Sequence, residues 1–317
     1  MGVTHISCSH SCARNMKTPM TGPRQKHAKN GTFLKTALTI QTMNPNHLPS
    51  QPIGIFDSGI GGLTVANSLV KYLPKENIIY FGDTAHLPYG DKSTAAIQAY
   101  SVKIAHMLLQ QECKLILIAC NSASAAAYEL VKEYIGSKAI VMNVIDPTIR
   151  LLKDKYTAKR IGLIGTRQTV NSHIYKKKID DLNLDIKLSS CSTNLLASAI
   201  EEFGSHHVID SLLQVYLAHP ELQNIDALVL ACTHYPVIKE KILQHFVTSN
   251  KNHVEIIDSS DIVAQAVKKQ LERNNLLNMN GNSTKHFYVS DYTETFAANA
   301  KLFFGENITL EHYPLWD

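Results

Sequence analysis

Short, continuous apolar runs alternate with longer stretches of helical spacing along most of this chain. Ile53-Gly-Ile-Phe56 is the first run, closed by Asp57-Ser-Gly-Ile-Gly-Gly62. Leu63, Val65, Ala66, Leu69 and Val70 then recur at helical spacing over residues 63–72. Strand, glycine-rich turn and helix open an α/β unit. Residues 77–81 predict a second strand, 93–111 a long helix capped by Ser93, and 115–119 a third strand. A helix over 124–134 and a strand over 139–144 follow.

The pattern restarts at Arg160-Ile-Gly-Leu-Ile-Gly-Thr166. It predicts a helix near 169–181, a strand near 185–189, helices over 195–203 and 207–218, and a strand over 227–231. A strand over 254–258 and a helix over 262–274 come next. A polar connector over 275–284 leads to a late strand, 286–290, and a late helix, 293–304.

Two runs stop at a cysteine. Leu115-Ile-Leu-Ile-Ala-Cys120-Asn-Ser is echoed by Ala227-Leu-Val-Leu-Ala-Cys232-Thr-His. The opening strands echo each other too: Gly54 precedes Cys120 by 66 residues and Gly162 precedes Cys232 by 70. A repeat of that size predicts two similar α/β lobes of mainly parallel strands, with a site in the cleft between them. The boundaries read as 1–51 for a disordered extension, 52–145 plus 255–317 for the first lobe, and 146–254 for the second. The last sixty residues are assigned to the first lobe because late strands of an open α/β sheet commonly return to it.

Composition narrows the classes. At 317 residues, 44% hydrophobic and 18% charged, the chain has material for one large or two mid-sized domains. Its formal charge of +4 owes much to Arg14, Lys17, Arg24, Lys26, Lys29 and Lys35, in a stretch without acidic residues. The remainder is near neutral to slightly acidic, which gives no footing for nucleic acid. Six cysteines are too sparse for a disulfide scaffold and fit a reducing, cytoplasmic setting. No apolar run approaches the ~20 residues that span a bilayer, and the start lacks the apolar core of a signal peptide. Residues 1–51 read as a flexible extension, or as sequence upstream of a start at Met43. His5, Cys8, His10 and Cys12 lack a second ligand pair, so they read as incidental rather than as a metal site.

The candidate chemistry gathers at four strand ends: Asp57-Ser58, Pro88-Tyr89-Gly90, Cys120-Asn121-Ser122 and Cys232-Thr233-His234. Small ligands bind at the carboxyl ends of strands in α/β sheets. Gly59, Gly61 and Gly62 allow backbone amides to approach a carboxylate or phosphate; a tight turn packed on the sheet explains them equally well. Only a few per cent of an ordinary thiol is ionised at neutral pH, so a catalytic cysteine needs help. Asp57 or His234 are candidates to take the proton, and helix N-termini after each cysteine to stabilise the anion. One buried cysteine at a strand end is ordinary core. Two in matching contexts, each followed by hydroxyl and amide groups, indicate a two-thiol site. Cys113 and Cys191 lack that context and read as structural. A metal at Cys120, Cys232 and His234 would need a fourth ligand, and neither half has a Cys-x-x-Cys pair.

Asp57-Ser-Gly-Ile-Gly-Gly-Leu-Thr-Val65, Tyr80-Phe-Gly-Asp-Thr-Ala-His-Leu-Pro-Tyr-Gly90, Ala119-Cys-Asn-Ser122 and Ala231-Cys-Thr-His-Tyr-Pro236 together resemble glutamate racemases, of the cofactor-independent amino-acid racemase superfamily. The resemblance runs from about Pro52 onward. It implies that Cys120 and Cys232 face opposite sides of the substrate Cα, one removing the α-proton and the other returning a proton. It implies Asp57 as assistant to Cys120, and His234 as assistant to Cys232. Glu201 is the acidic contributor from Leu195-Leu-Ala-Ser-Ala-Ile-Glu201, and Glu202 is its alternative. Substrate contacts carry over to Asp57, Ser58, Tyr89, Gly90, Asn121, Ser122, Thr233 and His234. The resemblance further implies no cofactor and no metal, glutamate as substrate, D-glutamate supplied to peptidoglycan, and a homodimer. Ser122 stands where the family commonly has Thr, Asn194 and Ser198 where it has Pro, and Phe203 where it has Gly. The alternatives are a racemase of aspartate or another acidic amino acid, a thiol hydrolase using Cys120, and a non-catalytic amino-acid-binding protein.

Overall fold

The structure is a computed structural model that describes residues 47–204, 207–251 and 253–317. The expectations for residues 1–46, including the Met43 start and the His5–Cys12 ligand types, lie outside the described residues.

The first series of elements is β1 (Ile53–Asp57), α1 (Leu63–Tyr72), β2 (Ile78–Gly82), α2 (Thr94–Gln110), β3 (Leu115–Ile118), α3 (Asn121–Ile135), β4 (Ile140–Asn143) and α4 (Ile145–Lys155). The second is β5 (Arg160–Gly165), α5 (Arg167–Asn171), α6 (Ile174–Asp181), β6 (Lys187–Ser192), α7 (Leu196–Phe203), α8 (His207–Leu217), β7 (Ala227–Ala231), α9 (Lys239–Thr248) and β8 (Glu255–Ile257). The chain closes with α10 (Ser259–Arg273), β9 (Lys285–Val289), α11 (Glu294–Phe304) and β10 (Glu311–His312).

Every strand pair among the described residues is parallel. Parallel strands require crossovers, and the helices supply them. The central strands are buried on both faces, which is why they read as unbroken apolar runs and not as alternation. Each fully buried Leu, Ile or Val there contributes about 1.5–3 kcal/mol.

One sheet has the order β10-β9-β2-β1-β3-β4 and the other β6-β5-β7-β8. Within each, the opening strand has its successor on one side and the cysteine strand on the other. The repeat holds in register. Gly54 pairs with Ile116, four residues before Cys120, and Gly162 pairs with Leu228, four before Cys232. The unequal spacing along the chain is therefore absorbed in the crossovers. An order that reverses beside β1 and again beside β5 opens a crevice at the carboxyl end of each pair.

Three boundaries differ from the sequence reading. Glu255–Ile257 pairs with Ala227–Val229, so it extends the second sheet and does not return to the first. The expected helix over 169–181 is two helices, because His173 takes a left-handed conformation (φ 53°) between them. The helix expected from residue 124 starts at Asn121, immediately after Cys120. Helix α4 was not foreseen; its Pro147 falls in the first turn, where a missing N–H is tolerated.

The late return to the first sheet does occur, as β9 pairs with β2. Residues 47–51, expected to be disordered, are tied down by buried Lys114. Its ammonium pairs with Glu76 at 2.5 Å and donates to the Leu276 carbonyl at 2.9 Å and to the Pro49 carbonyl. Among the described residues no helix is long and apolar enough to cross a membrane.

Candidate active site

Cys120 stands at the junction of β3 and α3. Its extended backbone makes it the cap of α3, and the Ala123 amide donates to Sγ at 3.4 Å. The sulfur also meets the Ser58 hydroxyl at 3.7 Å. The expected helix N-terminus behind this thiol is therefore present. Burial first, and then the Asp57 charge, push the thiol up to about 12, against the Ala123 amide and the Ser58 hydroxyl. Cys120 is a protonated thiol at neutral pH.

Cys232 follows β7 without a matching helix. A short turn, Tyr235–Ile238, intervenes before α9. Its sulfur faces a side chain instead, lying 3.6 Å from His234 Nδ1. His234 Nε2 lies 2.7 Å from Glu201 Oε1, which α7 brings in. Burial opposes charging His234, but the Glu201 carboxylate and Cys232 outweigh it and raise the imidazole well above the usual histidine range. As an imidazolium it donates from both nitrogens, toward Glu201 and toward the sulfur.

Asp57 ends β1, fully buried. The glycine-rich loop turns its amides onto this carboxylate and not toward a ligand: Gly59 and Gly62 donate to Oδ2 at 3.1 and 3.0 Å. Thr233 donates to Oδ1 at 3.3 Å. Burial raises the Asp57 carboxyl, while His234 and the loop amides oppose the rise. The loop has no room for side chains at Gly61, whose added Cβ would strike the His234 ring and Thr233 Oγ1. Thr64, at the start of α1, donates to the Thr233 carbonyl at 3.0 Å. Loop and helix start thus meet the Cys232 turn directly.

One cavity of about 30 Å³ joins these parts. Ser58, Tyr89, Gly90, Cys120, Asn121 and Ser122 line it from the elements of the first sheet. Thr166, Ala197, Cys232, Thr233 and His234 line it from those of the second. Asp57 and Glu201 stand one layer behind the wall. So every expected substrate-contact residue except Asp57 lines the cavity. Cys113 and Cys191 lie elsewhere, and burial pushes the Cys113 thiol up to about 12. Among the described residues no group of three His, Cys, Asp or Glu side chains is arranged to hold a metal ion.

The sequence reading missed Thr166, Tyr175 and Asp83. Thr166 follows β5 as Ser58 follows β1, a correspondence visible in the repeat. Its hydroxyl is 2.8 Å from Ser122 Oγ, and a Cβ on Gly90 would collide with the Thr166 Cβ and Cγ2. Tyr175 donates to Asn121 Oδ1 at 2.9 Å, which leaves the Asn121 NH₂ for the cavity. Asp83 accepts the Tyr89 hydroxyl at 2.6 Å.

Comparison with known proteins agrees with this geometry. The family described as Asp/Glu/hydantoin racemase matches residues 53–267. A glutamate racemase of Syntrophus aciditrophicus is 38% identical over 84% of this chain and 97% of its own length. Glutamate racemase 3 of Caldanaerobacter subterraneus subsp. tengcongensis is 37% identical over 79% of this chain and 90% of its own. The crystal structure of glutamate racemase from Francisella tularensis in complex with D-glutamate aligns with a TM-score of 0.77 at 39% identity. It covers 85% of this chain and 99% of that one. Two parallel sheets that repeat in register, two cysteines on one cavity and these matches place the chain in the Asp/Glu/hydantoin racemase family.

Proposed function

We infer that this protein interconverts L- and D-glutamate by a two-base reaction without a cofactor. The observation that carries the reading is that Cys120 and Cys232 reach one cavity from two separate sheets. Two bases on opposite faces of one carbon allow a proton to leave one face while another arrives on the other. The family membership and the glutamate racemases among its relatives support glutamate as substrate.

Each group has a task in this reading. Cys120, held as a thiol, gives a proton to Cα. Cys232, facing the His234 imidazolium, takes one. Asp57 sets the charge behind Cys120, and Glu201 holds His234 charged. For the reverse direction the proton loads exchange. Ser58, Asn121, Ser122 and Thr233 supply hydroxyl and amide contacts to the substrate's carboxylates and amine, with the Tyr89–Gly90 turn closing the wall. The cavity is narrow, and in this reading its walls part to admit glutamate. The two lobes, 52–145 with the closing segments and 146–257, act as the jaws. A thiol hydrolase based on Cys120 leaves Cys232 and its histidine without a task.

The product is suited to supply D-glutamate for peptidoglycan from the cytoplasm, in a homodimer. The test is optical: purified protein without added cofactor, offered L-glutamate, L-aspartate and other acidic amino acids in turn. Loss of circular dichroism with glutamate in preference to aspartate is expected. Turnover of aspartate alone, or of none, would overturn the assignment.

A further inference from the structure

Asp83 follows β2 and is fully buried, yet it is not on the cavity wall. Side chains from distant parts of the chain converge on it. Tyr89 Oη donates to Oδ2 at 2.6 Å. Ser290 Oγ and Trp316 Nε1 each donate to Oδ1 at 2.8 Å, and His86 Nδ1 lies 3.0 Å away. A buried carboxyl group with several hydrogen-bond partners has its polar atoms satisfied and its orientation fixed.

Trp316 is packed by its neighbours on several sides. Its indole edge meets His86 (centroids 4.5 Å, planes at 83°) and Tyr100 (5.5 Å, 77°). The Lys103 ammonium sits 4.5 Å from the ring centroid. Packing therefore aims a group that can only donate, the indole N–H, at Asp83. Through Asp83 the tie continues to Tyr89, whose hydroxyl is committed to the carboxylate and whose residue lines the cavity beside Gly90.

We propose that Trp316 is a positioning residue: it locks the Asp83 carboxylate, which in turn holds Tyr89 and the substrate-facing turn after it. The proposal rests on the racemase reading for its kinetic consequence but not for its structural one. Without the indole N–H, Oδ1 keeps Ser290 and His86 but loses one of its three partners, the carboxylate is held less firmly, and the wall at Tyr89 loosens. Substrate binding weakens while the cysteines, on other elements, keep their geometry. A merely structural Trp316 would instead reduce the folded fraction, lowering the apparent kcat and leaving KM unchanged.

The experiment is a double-mutant cycle on the full chain with Trp316→Phe, Tyr89→Phe and their combination. Losing one hydrogen bond of ordinary net strength predicts a rise in KM for Trp316→Phe of about 5–10-fold, with kcat within about twofold of wild type. In the Tyr89→Phe background the second substitution adds less than about twofold, because the link is already cut. An unchanged KM for Trp316→Phe, or effects that multiply in the double variant, would overturn the proposal. Wild-type turnover in the same assay separates the two readings: its absence overturns the racemase reading. The structural tie is then read from emission, since Trp316 is the chain's sole tryptophan. Tyr89→Phe shifts that emission; an unchanged spectrum overturns the tie.

Discussion

The two cysteines occupy equivalent places in two equivalent sheets, yet their surroundings share almost nothing. Cys120 is met by a backbone amide and a hydroxyl, both neutral, with a buried carboxylate behind. Cys232 is met by a histidine whose far nitrogen is held by Glu201. The strands dictate where the sulfurs go; the residues after them dictate where the proton rests. On the Cys120 side it rests on sulfur, because burial and Asp57 disfavour the anion. On the other side His234 is drawn toward its cation, because Glu201 and the sulfur outweigh the cost of burial. Symmetric topology thus carries asymmetric surroundings, with a buried thiol raised on one side and a histidine drawn toward its cation on the other.

Removing either sulfur breaks the comparison most severely. Cys120→Ala and Cys232→Ala should each lower racemisation by about 10³-fold or more. Each variant should still exchange the α-hydrogen of one enantiomer, and the two should differ in which. NMR of Cα–H loss in deuterated buffer checks this; if either variant racemises at the wild-type rate, the paired roles fail.

Glu201→Gln should come next, with a loss of about 10–100-fold. The sign follows from the histidine. Glu201 raises His234, so the imidazolium and the activity that needs it fade as pH rises through that raised value. Without the carboxylate the imidazole titrates lower, and the alkaline limb of the rate profile moves to lower pH. A limb that stays in place would show that His234 does not hold the proton.

Asp57→Asn acts on the other side. It keeps an acceptor for Gly59 and Gly62 and removes a charge that raises Cys120. Turnover should fall by about tenfold, while alkylation of Cys120 at fixed pH becomes faster, read by mass spectrometry of its peptide. Slower alkylation would contradict the electrostatic role. The smallest change is Ser122→Thr, which retains the hydroxyl chain to Thr166 and adds one methyl. It should leave kcat/KM within about twofold, and a larger drop would mean the wall at Ser122 has no slack.

Periodicity and strand-end chemistry carried much of this from the sequence. The buried runs at 53–56, 115–119 and 227–231 are unbroken because both their faces are covered, so strands and cysteines were legible together. Glu201 was placed by motif alone, and the structure sets it 2.7 Å from His234. What stayed hidden depends on partners far apart in the chain. Nothing near Asp83 announces Trp316, 233 residues later, as its donor. Nothing near Asn121 announces Tyr175. Helix α4 was lost to a proline that happens to sit in its first turn, and the break at His173 to a left-handed residue that no periodicity encodes.

The central claim, that two groups on opposite faces share one inversion, is tested most directly by following isotope at Cα. L-glutamate is converted in deuterated water and both enantiomers are examined at low conversion. A two-base inversion puts deuterium in essentially all of the D-glutamate formed and leaves the remaining L-glutamate protiated, since the returning thiol has equilibrated with solvent. D-glutamate that keeps the original protium, or deuterium appearing equally in both enantiomers from the outset, would contradict it.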